Sequence, residues 1–201
     1  MNEFIAFPKI PRYSRDCIVT EKIDGTNGQI CITPEGEFLV GSRSRWITPE
    51  HDNHGFAKWA YANKEELLKF GPSLNFGEWW GQGINRGYGL KEKRFSLFNV
   101  TRWSEREFNI YKISAWEREG SKEPRPVFKP PPACCGVVPV IARGIFGGEV
   151  VETALRVLGA AGSYAAPGFM KPEGIVIYHT AGNTLFKKTL ERDDEWKGKE
   201  I

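Results

Sequence analysis

The sequence predicts an α+β fold, built mainly of antiparallel strands with a few helices. Three observations lead there. Polar and apolar residues alternate in short segments close to both chain ends, the two-residue period of a strand. Turn residues such as Pro34-Glu35-Gly36 separate neighbouring segments by only a few positions, which suits antiparallel pairing. Helical periodicity, in contrast, is confined to two windows, 52–70 and 149–161.

In chain order, Asp16 to Asp24, Gly28 to Thr33 and Glu37 to Gly41 read as a strand series. Between Asp52 and Phe70, Phe56, Trp59, Ala60 and Leu67 can share a helical face, and Asn63 with Glu66 resembles a capping box that starts a second helix. Gly71-Pro72 ends it. Leu74 to Trp80 and Phe95 to Trp103 return to strand composition, with a glycine-rich loop, Gly81 to Gly89, between them. The segment Ser104 to Gly136 is charged and then proline-rich, and is expected to be a long mobile excursion that resists regular structure. Glu149 to Ala161 places Val150, Ala154, Leu158 and Ala161 on one helical face, with an acid in its first turn and Gly162 as a C-cap. Ile175 to Tyr178 and Thr184 to Leu190 close the series as strands.

The 201 residues are read as a single domain, 1–201, with 40% hydrophobic residues to build its core. Lys and Arg exceed Asp and Glu by only 28 to 25, so bulk charge does not by itself announce a polyanion partner. No apolar run approaches the ~20 residues needed to span a bilayer, and the first residues lack a signal peptide's pattern. No membrane role and a cytoplasmic location are expected. The four cysteines, Cys17, Cys31, Cys134 and Cys135, suit neither a disulfide framework nor a CxxC zinc site. His51 and His54 sit three apart on an expected helix, but no third ligand completes a metal set.

The residues that carry chemistry begin at Glu21-Lys22-Ile23-Asp24-Gly25-Thr26-Asn27-Gly28, a lysine at a strand end followed by an acid and a glycine-rich turn. A lysine amine attacks phosphorus only when neutral, so a nucleophilic lysine needs desolvation or neighbouring cations. Glycines let the backbone approach a nucleotide closely. Taken alone, Lys-x-Asp-Gly also marks an ordinary strand followed by a β-turn.

Further segments follow it in order. Ser42-Arg43-Ser44-Arg45, then Phe76-Gly77-Glu78-Trp79-Trp80-Gly81, then Phe95 to Val100 with Phe98, then Lys171-Pro172-Glu173-Gly174-Ile175-Val176-Ile177, and finally Leu185-Phe186-Lys187-Lys188-Thr189 span nearly the whole chain. This series resembles the motifs of the covalent nucleotidyltransferases, the superfamily of ligases and mRNA capping enzymes. Within it, the Glu-Gly-Ile-Val strand and the Phe-Lys-x-Thr-Leu ending look most like the RNA ligase family in its Rnl2-like branch. The resemblance implies a nucleotidyltransferase (adenylation) domain of mainly antiparallel sheets, with the nucleotide bound between sheets. The family's last motif commonly has Lys-x-Lys, whereas here Lys187 and Lys188 are adjacent, and register after the apolar pair favours Lys187. Nothing follows Ile201, so a carboxy-terminal nucleic-acid-binding domain is expected to be missing.

By resemblance, Lys22 attacks the α-phosphorus of ATP, expels pyrophosphate and forms lysyl-AMP, with Mg2+ (or Mn2+) assisting. Lys187 and Lys188 neutralise phosphate charge. Glu21, Asp24, Gly25, Asn27 and Arg43 contact or shape the nucleotide site, Glu78 bonds the ribose hydroxyls, Phe98 stacks on the purine, and Glu173 holds the metal. Arg45, Arg86, Lys91 and Lys93 form the expected grip on nucleic acid, with Tyr88 beside them. Taken without the series, Phe98 would be a core phenylalanine and Arg43 a surface arginine. The implied reaction is ATP-dependent joining of RNA ends, including nicked duplex or a DNA/RNA hybrid, as in RNA repair, with a partner protein able to stand in for the absent domain. A GTP-dependent guanylyltransferase of the capping type shares Lys-x-Asp-Gly, and a non-catalytic nucleotide- or RNA-binding protein could share the fold.

Overall fold

The computed structural model describes residues 4–191. The chain divides into two compact units, one made of residues up to Lys22 together with those from Pro139 on, the other of Ile23–Val138. The elements in order are β1 (Asp16–Lys22), β2 (Thr26–Ile32), β3 (Phe38–Gly41), α1 (Phe56–Ala62), α2 (Lys64–Leu67), β4 (Ser73–Gly81), β5 (Lys93–Leu97), α3 (Val100–Trp103), α4 (Glu105–Phe108), α5 (Ser114–Glu119), β6 (Cys135–Val137), β7 (Val140–Ile145), α6 (Gly148–Ala161), β8 (Gly174–His179) and β9 (Thr184–Thr189).

The first unit holds a sheet in the order β7-β1-β8-β9, all antiparallel. β1 is central and its residues Cys17 to Glu21 are buried on both faces, so its sequence is more continuously apolar than an edge strand's. Cys17, Val19, Ile175 and Ile177 pack against Ala154, Leu155 and Leu158 of α6, which forms the expected helix with Leu155 in place of Ala161 on its buried face. Gly162 caps it, donating its N–H to the Leu158 carbonyl. A side chain there would meet the Phe169 carbonyl at 2.7 Å.

The second unit holds a sheet in the order β3-β2-β4-β5-β6. Its core gathers Ile30, Phe38, Val40, Phe56, Ala60, Leu67, Trp79, Phe95 and Leu97. The Phe56 ring lies where a side chain on Gly28 would stand, 2.6 Å from the ideal Cβ, so that glycine makes room for the helix on the sheet.

Several expectations are corrected here. Phe95 to Trp103 is not one strand, because Asn99 caps a helical turn, its side chain accepting from the Arg102 N–H. Asn63 does not open α2 with its side chain but donates to the Trp59 carbonyl at 2.8 Å, closing α1. Asp52 supplies the acceptors at the start of α1, taking the N–H groups of Ala57 and Lys58 at 2.7 and 3.0 Å. His51 and His54 therefore precede the helix, and no group of three His, Cys, Asp or Glu residues able to hold a metal occurs among the described residues.

The first half of the 104–136 segment is helical, through α4, a π-turn at Asn109–Ile113 and α5, and only its second half lacks regular structure. Its purpose is topological. β6 pairs with β5 in parallel, Phe95 opposite Cys135, and parallel neighbours require a long crossover. β6 and β7 were not anticipated, since Cys135–Val137 is very short and Val140–Ile145 carries Arg143 and Gly144 inside it. All four cysteines are free thiols. No helix among the described residues is long and apolar enough to cross a membrane.

Candidate functional site

Lys22 ends β1 opposite Gly174, the first residue of β8. The Lys22 Nζ lies 2.6 Å from Glu173 Oε2, with a quarter of the lysine side chain and 13% of the glutamate's exposed. Gly174 is required by close approach, because a Cβ there would run into the Lys188 carbonyl and reach within 2.6 Å of Thr189 Cα. The Glu-Gly pair thus aims a carboxylate at the lysine while letting β9 pass.

The register settles which face each lysine of β9 shares. Thr20 stands opposite Val176, and Val176 opposite Lys187. Side chains directly across a ladder share a face, as do residues two apart on a strand. Lys187 therefore lies on the sheet face of Lys22. Lys188 stands opposite Ile175, itself opposite Glu21, on the other face.

Glu21 is corrected as a nucleotide contact. Its side chain is directed to the α6 face and is 1% exposed. Oε1 accepts from the Ser163 hydroxyl at 2.6 Å, and Oε2 from the N–H groups of Tyr164 and Ala165 at 2.8 and 2.9 Å. Burial pushes its carboxyl above the ordinary value, with these three donors opposing the rise. Glu21 anchors the loop after α6, a role that Ser163, not singled out from the sequence, shares.

In the second unit, Gly25 presses against β4. A side chain there would collide with the Trp79 carbonyl and stand 2.7 Å from Trp80 Cβ. That closeness lets Glu78, 7% exposed, accept from the Gly25 N–H and from Asn27 Nδ2, both at 3.0 Å. Asp24 is clamped by the glycine-rich loop. Its N–H donates to the Tyr88 hydroxyl at 2.8 Å, Oδ1 accepts from Asn85 Nδ2 at 2.9 Å, and Oδ2 from Arg86 Nε at 3.1 Å. Asn85 Nδ2 also reaches the Gly25 carbonyl at 2.7 Å. The loop achieves this through a run of left-handed residues, Gly81, Gly83, Asn85, Gly87, Tyr88 and Gly89. Side-chain direction in such a loop is not readable from composition, so Asn85 was missed and Arg86 was assigned to nucleic acid when its Nε is committed to Asp24.

Lys93 Nζ donates to the His54 carbonyl at 2.7 Å, where Trp79 Nε1 also donates. Lys91, Arg43 and Arg45 are exposed. The two arginines sit in a turn closed by the Ser42 N–H on the Arg45 carbonyl at 2.8 Å. Phe98 follows β5, 39% exposed, with its N–H on the Phe76 carbonyl. An aromatic ring left this open at a strand end is not the core phenylalanine that composition alone would suggest.

A family profile described as RNA ligase matches residues 15–189. The chain belongs to the RNA ligase family. No curated protein aligns significantly with it. Among solved structures, a Naegleria gruberi RNA ligase variant with ATP and Mn aligns at TM-score 0.58 and 18% identity, over 89% of this chain and 51% of that one. A second variant of that ligase with ATP and Mn gives TM-score 0.57 and 20% identity over 89% and 51%. A variant with AMP and Mn gives 0.55 and 19% over 88% and 50%. At this identity the likeness shows the fold, and the chain spans about half the length of these ligases. An RNA ligase fold of mixed α and β structure is thereby shown.

Proposed function

We propose that this chain is the nucleotidyltransferase portion of an ATP-dependent RNA ligase, with Lys22 as its nucleophile. The observation that carries the reading is the Lys22–Glu173 contact at 2.6 Å with Lys187 on the same sheet face. In the first step the Nζ lone pair attacks the α-phosphorus of ATP, the bond to the β-phosphate oxygen breaks, pyrophosphate leaves and the nitrogen loses a proton. An RNA 5′-phosphate oxygen then attacks the same phosphorus, the N–P bond breaks and AMP passes to the strand. Attack by a 3′-hydroxyl finally joins the ends and releases AMP.

Glu173 is one carboxylate, and a hard divalent ion commonly takes one or two carboxylates with phosphate oxygens and waters completing its shell, so the residue fits such an ion. A magnesium or manganese ion bound there supplies charge neutralisation for the phosphates. Lys187 adds positive charge for the nonbridging oxygens; in the second unit, Phe98 is an open aromatic ring of the kind that stacks on a purine. Glu78 and the clamped Asp24 hold Gly25 and Asn27 in place, where Glu78 could turn toward ribose hydroxyls. The family assignment and the nucleotide- and manganese-bound ligase structures support ATP and a divalent ion as cofactors. Strand sealing by this chain requires a grip on RNA supplied either by its own surface or by a partner protein.

The test is incubation with magnesium and α-labelled ATP or GTP, followed by a denaturing gel, with Lys22→Ala alongside. Label from ATP that disappears in the variant is expected. Label from GTP alone would move the chain to capping chemistry, and no label under any metal condition would leave a binding protein.

A further inference from the structure

The nucleic-acid residues expected from the sequence are partly committed elsewhere, Arg86 to Asp24 and Lys93 to the His54 carbonyl. A different surface carries free cations. Residues 4–15, ahead of β1, form neither helix nor strand, and most of their apolar side chains stand in solvent, Phe7 at 82% exposure and Tyr13 at 67%. Cations alternate with them, at Lys9, Arg12 and Arg15, and none of the three enters an ion pair among the described residues. All three line one cavity of about 570 Å3, together with Ile10, Pro11, Ala181 and Gly182, and no acidic residue lines it.

The segment carrying these cations is anchored beside the cavity. The Tyr13 carbonyl bonds His179 Nε2 at 2.9 Å, and the Tyr13 ring meets Phe146 edge-on at 5.1 Å. The Gly182 N–H donates to His179 Nδ1 at 2.9 Å, and a side chain at Gly182 would stand 2.8 Å from that nitrogen. One buried histidine thus ties the amino-terminal segment to the turn between β8 and β9. Uncompensated cations on a fixed concave surface, interleaved with open aromatic rings, have the chemistry of a site for a single-stranded phosphodiester chain, in which cations take the phosphates and rings take the bases. Lys9, Arg12 and Tyr13 lie outside the stretch matched to the ligase family, whereas Arg15, Phe146, His179 and the β8–β9 turn lie inside it.

We propose that Lys9, Arg12 and Arg15 form an RNA-strand site that holds the substrate for ligation. This rests on the function proposed above for its substrate but not for its test. The experiment measures binding of a fluorescent, 5′-phosphorylated single-stranded RNA by anisotropy across a salt series, alongside self-labelling with α-labelled ATP. The wild type is compared with the Lys9→Ala, Arg12→Ala, Arg15→Ala triple variant and with a charge-preserving Lys9→Arg, Arg12→Lys, Arg15→Lys variant. Loss of three phosphate contacts on a single strand should lower the salt slope by about 2 and weaken binding at least about tenfold, with labelling unchanged and binding restored in the charge-preserving variant.

Equal affinity and slope in wild type and triple variant would overturn the site while leaving the ligase reading intact. Absent self-labelling with RNA binding that still depends on the three cations would overturn the ligase reading and leave the site. An acidic peptide of matching charge that competes as well as RNA would overturn its assignment to a nucleic-acid strand.

Discussion

Removing the Glu21 carboxylate should destabilise the protein without removing its chemistry. Glu21→Ala leaves the N–H groups of Tyr164 and Ala165 without their acceptor, and the Ser163 hydroxyl without the partner it meets at 2.6 Å. An orphaned buried donor costs about 1–3 kcal/mol, so two backbone donors cost roughly 2–6 kcal/mol, reduced where water reaches the half-exposed Tyr164. Relief of the carboxylate's own burial offsets part of this, leaving about 2–4 kcal/mol. For a domain of this size that corresponds to a fall in Tm on the order of 5–15 °C. Glu21→Gln preserves volume and some acceptors and should cost roughly 1–2 kcal/mol. The assay pairs thermal unfolding with ATP self-labelling well below both melting temperatures. A variant of undiminished Tm that cannot be labelled would refute the placement of Glu21 on the α6 face and return it to the nucleotide.

Because burial raises the Glu21 carboxyl above 4.5, its protonated form is favoured in the fold. That contribution is complete below the unfolded value and is lost as pH rises through the folded one. The stability gap between wild type and Glu21→Gln, from urea titrations, should therefore narrow as pH rises above the ordinary carboxyl value of 4.5, and a widening gap would contradict the direction. Lys187→Ala should slow self-labelling about 10²- to 10³-fold, as loss of a charge facing the transition state does, while Lys188→Ala on the opposite face should cost under about tenfold. The reverse order in single-turnover rates would show the register argument to be wrong. Gly25→Ala forces a methyl into the Trp79 carbonyl and Trp80 Cβ, costing about 1–3 kcal/mol in overpacking and separating the Gly25 N–H from Glu78. Loss of both stability and labelling is expected, by chemical denaturation and gel. Tyr88→Phe orphans the Asp24 N–H and should cost about 1–3 kcal/mol, whereas Arg86→Ala removes a partly exposed pair and should cost under about 1 kcal/mol, with labelling slowed in both.

Much of this fold was legible where periodicity and geometry agree. α6 and the strands β1, β3, β4, β8 and β9 follow from apolar spacing and from turn residues beside them. β6 was not legible because three residues carry no period, and its parallel partner lies some 40 positions away across a helical and then proline-rich connection. The site divides in the same way. Lys22 and Glu173 are named by motif, and the structure supplies the contact between them. Glu21 is adjacent in sequence to Lys22, but a strand turns adjacent side chains to opposite faces, and motif membership does not record that. Asn85 and Tyr88 act through backbone conformations with positive φ, and Arg86 sits between them, so the consequence for side-chain direction is invisible until the loop is folded.

The proposed chemistry requires Lys22 to become covalently modified. Peptide mapping by mass spectrometry, after incubation with ATP and magnesium and without RNA, tests it. An AMP adduct on the peptide containing Lys22, absent when pyrophosphate is supplied in excess to reverse the step, is the expected result. An adduct on another residue with Lys22 unmodified would contradict it.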